Sequence, residues 1–192
     1  MTEYAAMKKR LAEMIFEKSF RYSDNPPFTL ASGKTSNYYF NCKATTLNPE
    51  GMYLIGNTIF DMLKNSEVSA VGGLTLGADP IANAVSLISY QKGRPLNTFI
   101  VRKDIKEHGT RSAIEGNVQS GDHVCVLDDV ITTGGSTILA IKKAREAGLV
   151  VDGVIALIDR QEGGREHILE SVSNVKSVFT RDDIMNRFRQ GN

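Results

Sequence analysis

The sequence predicts an α/β fold, a mostly parallel central sheet flanked by helices with a small N-terminal hood. Three observations carry this expectation. Short apolar runs alternate with helical patterns from residue 68 onward. The runs VCVL (124–127) and VIALI (154–158) are apolar at consecutive positions, as strands covered on both faces require. The chain has 192 residues, which at about 150 residues per domain is closer to one domain than to two. Strand–helix–strand units cross over right-handedly, so their strands run parallel.

The elements follow in order. Met7, Leu11, Met14 and Ile15 recur at helical spacing, with Lys8, Lys9, Arg10 and Lys18 among the polar positions. Ser23 to Pro27 breaks that helix, and FTLASGKTSNYYFN (28–41) reads as irregular hairpin structure; residues 1–45 together make the helix and hood. Asn48 and Pro49 read as an N-cap and first helical residue, followed by the buried stripe Met52, Ile55, Ile59, Met62 and Leu63. Strands are expected at 68–74, 98–101, 123–130, 150–158 and 175–179. Helices are expected at 79–89, with Asp79 and Pro80 as its cap, and at 136–147 and 182–189. The polar segment 102–122 is too long for an ordinary connection and reads as an active-site loop.

Composition narrows the class of function. Apolar residues make up 41% and charged residues 23%, which excludes a disordered chain and a coiled-coil rod. With 23 basic and 22 acidic side chains the net charge is +1, so nothing global points to nucleic acid or a membrane surface. No apolar run is long enough to span a bilayer, and charges interrupt any signal-like start. Two cysteines far apart, Cys42 and Cys125, fit free thiols in the cytoplasm.

Any anion site must therefore be local, and VCVLDDVITTGGST (124–137) offers one. Asp128 and Asp129 stand at the C-terminal end of a buried strand, where open α/β sheets place ligands. Val130 and Ile131 follow, and then Thr132, Thr133, Gly134, Gly135 and Ser136 open a helix. Glycines let backbone N–H groups approach an anion, and the helix N-terminus adds partial positive charge. The lysine and spacing of a P-loop are missing, so NTP hydrolysis does not fit. A capped helix start would use the same residue types. The carboxylates suit sugar hydroxyls or a hydrated Mg²⁺ a short distance from the phosphate. The whole string resembles the 5-phosphoribosyl-1-diphosphate (PRPP) signature of type I phosphoribosyltransferases.

A second cluster is VRKDIKEHGT (101–110), where Arg102, Lys103, Lys106 and His108 gather against only Asp104 and Glu107. A cationic lid of this kind stabilises a departing diphosphate. A solvated charged loop is the plain alternative. The string resembles the catalytic loop of orotate phosphoribosyltransferases. The resemblance extends to FTLASGKTSNYYFN, whose aromatic pair, here Tyr39 and Phe40, lines the base pocket in that family. It also extends to LIDRQEGG (157–164), whose arginine, here Arg160, binds the orotate carboxylate. From the residues alone Arg160 reads as a surface ion-pair partner.

The resemblance implies transfer of the phosphoribosyl group from PRPP to orotate, in pyrimidine biosynthesis. It implies Arg102, Lys106 and His108 as catalytic residues and Arg102, Lys103, Lys106, His108 and residues 128–136 as the PRPP site. Thr132, Arg160, Tyr39 and Phe40 would hold orotate. Mg²⁺ would be bound mainly through PRPP and water, and a homodimer would share the catalytic loop. Many family members carry lysines where this chain has Ala31 and Ala78. Two rivals remain: another base-specific phosphoribosyltransferase, disfavoured by the hood and Arg160, and a PRPP-sensing regulator, which has no need of the lid. His123, His167 and Cys125 have no partner at metal or nucleophile spacing and read as structural or exposed.

Overall fold

The computed structural model describes residues 2–23, 25–29, 35–103 and 113–191, without side chains beyond Asn186. Helix α1 (Glu3–Met14) starts at Thr2, whose hydroxyl accepts from the Ala5 N–H, and widens into one π-helical turn at Ile15–Ser19. The hood comprises β1 (Phe20–Tyr22), β2 (Phe28–Thr29), β3 (Thr35–Ser36) and β4 (Tyr38–Phe40). These form two antiparallel pairs, β1 with β4 and β2 with β3.

A helical turn α2 (Lys43–Thr46) leads to α3 (Pro49–Leu63). As expected, Asn48 caps α3, its side-chain oxygen accepting from the N–H groups of Glu50 and Gly51. Strands β5 (Ala70–Leu74), β6 (Asn97–Val101), β7 (Ile114–Gly116), β8 (His123–Ile131), β9 (Val150–Asp159) and β10 (Val175–Thr180) form one sheet. Their order is β10-β9-β8-β5-β6-β7, parallel throughout except for β7. Helices α4 (Asp79–Gln91), α5 (Gly135–Glu146), α6 (Gly164–Leu169) and α7 (Arg181–Gly191) complete the chain.

Alternate residues of the central strands serve opposite faces of the sheet. Cys125, Leu127, Ile155 and Leu157 pack with Leu11, Ile55, Ile59 and Val85 in one core. Val124, Val126, Val154 and Ala156 pack with Phe99, Ile141 and Ile168 in the other. Helices on both sides explain why the strand sequences are apolar without alternation.

The structure differs from expectation at several points. The polar segment 102–122 is interrupted by β7, which pairs Val101 with Ile114 and shortens the loop; residues 104–112 lie outside the described residues. Two short helices, α2 and α6, have too few residues to show a helical period. The residue at the N-cap of α4 is Ala78, and the Asp79 carboxylate instead accepts from the Thr75 hydroxyl at 2.7 Å.

Arg94, in the turn between α4 and β6, donates to the carbonyls of Leu63, Ser66 and Val68. It thereby ties the end of α3 and the approach to β5 onto the far side of α4. Arg94→Met keeps the apolar stem and leaves those carbonyls without their donor. A loss of about 2 kcal/mol, lowering Tm by about 4–8 °C, is expected in a thermal melt.

Candidate functional site

Strands β5, β6, β8 and β9 run the same way, so their C-terminal ends open onto one edge of the sheet. The segments leaving that edge are 75–79, the pair Arg102 and Lys103, the turn 132–134 and the turn 160–163. Candidate residues far apart in the chain meet there because the sheet is parallel.

Asp128 is buried at the end of β8. Its Oδ2 accepts from the Thr137 hydroxyl at 2.6 Å and from the Ser136 hydroxyl at 3.0 Å. Burial pushes its carboxyl up to about 6, opposed by the Thr137 hydrogen bond and reinforced by the charge of Asp129. Asp129 is half-buried, and its Oδ1 accepts from the Val130 N–H at 3.0 Å. Val130 is half-buried and Ile131 is in the core, so these two shape the site through the backbone.

The capped-helix reading fails on geometry. The residue preceding α5 is Gly134, at φ +83°, and no side chain caps this helix. The Asp128 carboxylate takes hydroxyls of the first turn, which leaves the first-turn N–H groups without a side-chain acceptor. A methyl group on Gly135 would meet nothing within 4 Å, so that approach is open. Behind the turn, α6 fits closely: a Cβ on Gly164 would lie 2.5 Å from the Thr132 carbonyl oxygen. His167 Nδ1 lies 3.1 Å from the Thr133 carbonyl oxygen. Thr133, Gly135 and Ser136 are exposed and Thr132 is half-buried. An open helix N-terminus with glycine and hydroxyl residues has the chemistry to accept a phosphate.

Segment 75–79 corrects one expectation. Ala78 is fully buried, its Cβ directed toward Gly73, so this position could not carry a lysine into the site. The residue facing the aspartates is Gly77, where a Cβ would lie 2.8 Å from Asp129 Oδ1. Ala31, Lys106 and His108 lie outside the described residues. Arg102 reaches Glu115 Oε1 at 3.0 Å, and Lys103 is exposed. Lys143 of α5 donates to the carbonyls of both Arg102 and Lys103, at 2.7 and 2.8 Å, and anchors the root of the loop.

Arg160 is buried, 5% exposed, which overturns its reading as a surface ion-pair partner. Its N–H donates to the Ile131 carbonyl, which seats it beside Thr132. Its Nε and Nη2 are buried and make no hydrogen bond. Glu162 Oε1 stands 2.8 Å from Nη2, but out of line for a hydrogen bond, so the contact is ionic only. Nε and Nη2 form one edge of the guanidinium and take a carboxylate two-handed. Arg10 uses the same edge on Glu50 elsewhere in this structure, at 2.7 and 3.2 Å.

The hood places a different aromatic against Arg160 from the expected pair. Tyr38 lies 5.2 Å from the guanidinium, ring centroid to Cζ. Phe40 packs into the core on Phe20, while Tyr39, exposed, stacks on Phe28. Alternation along β4 would have paired Tyr38 with Phe40 on one face, a signal present in the sequence. Cys42, next in the hood, is buried near both aspartates, and burial holds its thiol well above the usual range. The Cys125 thiol is pushed up to about 12 by burial, so neither sulfur is a nucleophile.

One buried and one half-buried carboxylate beside an open helix N-terminus, at the strand ends of a parallel sheet, fit an α/β protein of the phosphoribosyltransferase class. Relatives agree. An orotate phosphoribosyltransferase of Aquifex aeolicus is 44% identical over 178 residues, spanning 93% of this chain and 97% of the relative. One from a Nostoc species is 41% identical over 98% of this chain and 90% of the relative. The crystal structure of Mycobacterium tuberculosis orotate phosphoribosyltransferase with PRPP superposes with a TM-score of 0.76 at 34% identity, covering 93% of this chain and 98% of the other. A scan against models of known families returns no match. The chain belongs to the orotate phosphoribosyltransferase family.

The carboxyl of Asp128 gives the site a pH signature. Because its pKa is raised on folding, the folded protein binds this proton more tightly than the unfolded chain. The resulting stability is complete below the unfolded value near 4 and is lost as pH rises through about 6. Asp128→Asn removes that dependence. Urea titrations at pH 4 and pH 7.5 should show the variant gaining on wild type by roughly 2 kcal/mol across the interval.

Proposed function

We propose that this chain transfers the 5-phosphoribosyl group of PRPP to orotate, forming orotidine 5′-monophosphate and diphosphate. Residues 1–192 act as one domain, with 1–45 contributing its N-terminal helix and hood. The observation that carries the reading is the Nε and Nη2 edge of buried Arg160, which makes no hydrogen bond, one strand away from the open N-terminus of α5. A pyrimidine with a carboxylate satisfies that edge, and a sugar phosphate satisfies the helix.

In this reading the N–H groups of residues 132–136 hold the 5′-phosphate. Asp128 and Asp129 accept from the ribose hydroxyls, and Arg160 with Thr132 orients the base. Tyr38 supports Arg160, and Tyr39 lies at the edge of the pocket. The ring nitrogen bonds to the anomeric carbon as the bond to the diphosphate oxygen breaks, both electrons leaving with diphosphate and the ring proton passing to solvent. Arg102, Lys103 and Lys106 meet the charge growing on the leaving group, and His108 serves as its proton donor. Positioning and preorganised charge do most of this work.

Among the described residues no three His, Cys, Asp or Glu side chains converge on one point. Half-buried Asp129 suits an ion carried in by PRPP and its water. When bound, Mg²⁺ neutralises part of the diphosphate charge. Among the described residues no helix is long and apolar enough to cross a membrane. Two buried free thiols support a reducing compartment such as the cytoplasm.

The active form in this reading is a homodimer that shares the loop after Lys103. In support, α3 and α4 present an apolar groove of about 400 Å³ that includes Tyr53 and Leu87, which are 51% and 61% exposed. Leu87→Asp should convert the dimer to monomer in sedimentation velocity; an unchanged sedimentation coefficient would remove this face from the interface.

The base assignment is tested by Arg160→Ala in an assay of orotate consumption with PRPP and Mg²⁺. KM for orotate should rise roughly ten- to a hundredfold while KM for PRPP stays near wild type. Equal losses for both substrates would make Arg160 structural.

A further inference from the structure

The carboxylate-binding edge of Arg160 is not open in this structure. Nε and Nη2 are shielded from solvent although no hydrogen bond uses them. A buried guanidinium needs a counter-charge, and Glu162 Oε1, 2.8 Å from Nη2, supplies it. The same oxygen accepts from the Tyr38 hydroxyl at 3.0 Å. That hydroxyl in turn accepts from Arg181 Nη1 at 3.2 Å. The Tyr38 ring thus has two guanidiniums close by, Arg160 at 5.2 Å and Arg181 at 5.5 Å from its centroid. Glu162 is partly exposed, with 25% of its side chain in contact with solvent, so it has room to swing.

This inference rests on the reading of Arg160 as the orotate carboxylate site. We propose that Glu162 is a resident carboxylate that orotate displaces from Arg160, and that Arg181 receives it across Tyr38. Two carboxylates cannot share one guanidinium edge without strong repulsion, so the incoming substrate drives Glu162 out. Arg181 is a second cation already linked to Glu162 through one hydroxyl. Arg181 already meets Asp182 Oδ1 through its Nε at 3.0 Å, so Glu162 would be received at the Nη side, where Nη1 already reaches the Tyr38 hydroxyl. When product leaves, Glu162 returns and Arg160 is never left buried without an anion. Glu162 and Arg181 are positioning residues, since each acts on the substrate through Arg160.

The two partners must then have opposite effects on the same constant, which a merely structural cluster would not produce. Glu162→Gln removes the competitor, and KM for orotate should fall about three- to tenfold. Arg181→Ala removes the receiving cation, and KM for orotate should rise by a similar factor, with Arg181→Lys restoring most of it. KM for PRPP should stay near wild type in all three variants, which also reports that they fold. An unchanged or higher orotate KM in Glu162→Gln, or an unchanged or lower one in Arg181→Ala, overturns the exchange. If Arg160→Ala raises orotate KM in the same series, only the exchange has failed. If Arg160→Ala leaves it unchanged, the assignment of the base site fails too.

Discussion

The hydrogen bond from the Thr137 hydroxyl to the buried Asp128 carboxylate is the tie on which the site depends. It fastens the end of β8 to the first turn of α5 through side chains, sparing the backbone N–H groups that a helix cap would consume. Asp128 gives up solvation to do this, and its raised pKa records the cost. Gly134 and Gly164 allow α6 to press against the turn from behind, and the combination is a rigid cradle with one open face.

Much of the architecture was legible in the residues. Continuous apolar runs mark β8 and β9 because both faces of a parallel sheet are covered, and Asn48 with Pro49 marks the start of α3 because capping is local chemistry. Asp128 and the residues of 132–136 were legible for the same reason, being neighbours in the chain. What the sequence hid depends on contacts between distant segments. Nothing local distinguishes a buried Arg160 from an exposed one; the difference is made by Tyr38, more than a hundred residues away. Ala78 and Gly77 are adjacent, and only the path of the backbone decides which of them faces Asp129.

The hood shows the same dependence on direction. In a short strand, a shift of one residue exchanges inward and outward faces. Tyr39 and Phe40 are neighbours, so they cannot both line one pocket wall. The strand sends Phe40 to the core and Tyr39 to solvent, and the face it shares with Phe40 brings Tyr38 to the guanidiniums. The polar segment after β6 was misjudged in extent for another reason. Ile114 to Gly116 is too short to show a period, yet it completes an edge of the sheet antiparallel to β6.

Helix α5 joins two tasks in one rigid body. Its first turn forms the cradle, and two turns later Lys143 grips the backbone of Arg102 and Lys103. The helix is seated on the sheet by Ala140, Ile141 and Ala144, all of which are buried. A change in that seating tilts a lever with the anion cradle at one end and the anchored backbone of Arg102 and Lys103 farther along. The two cannot be retuned separately: a substitution at Ala140 or Ala144, touching neither, shifts both together.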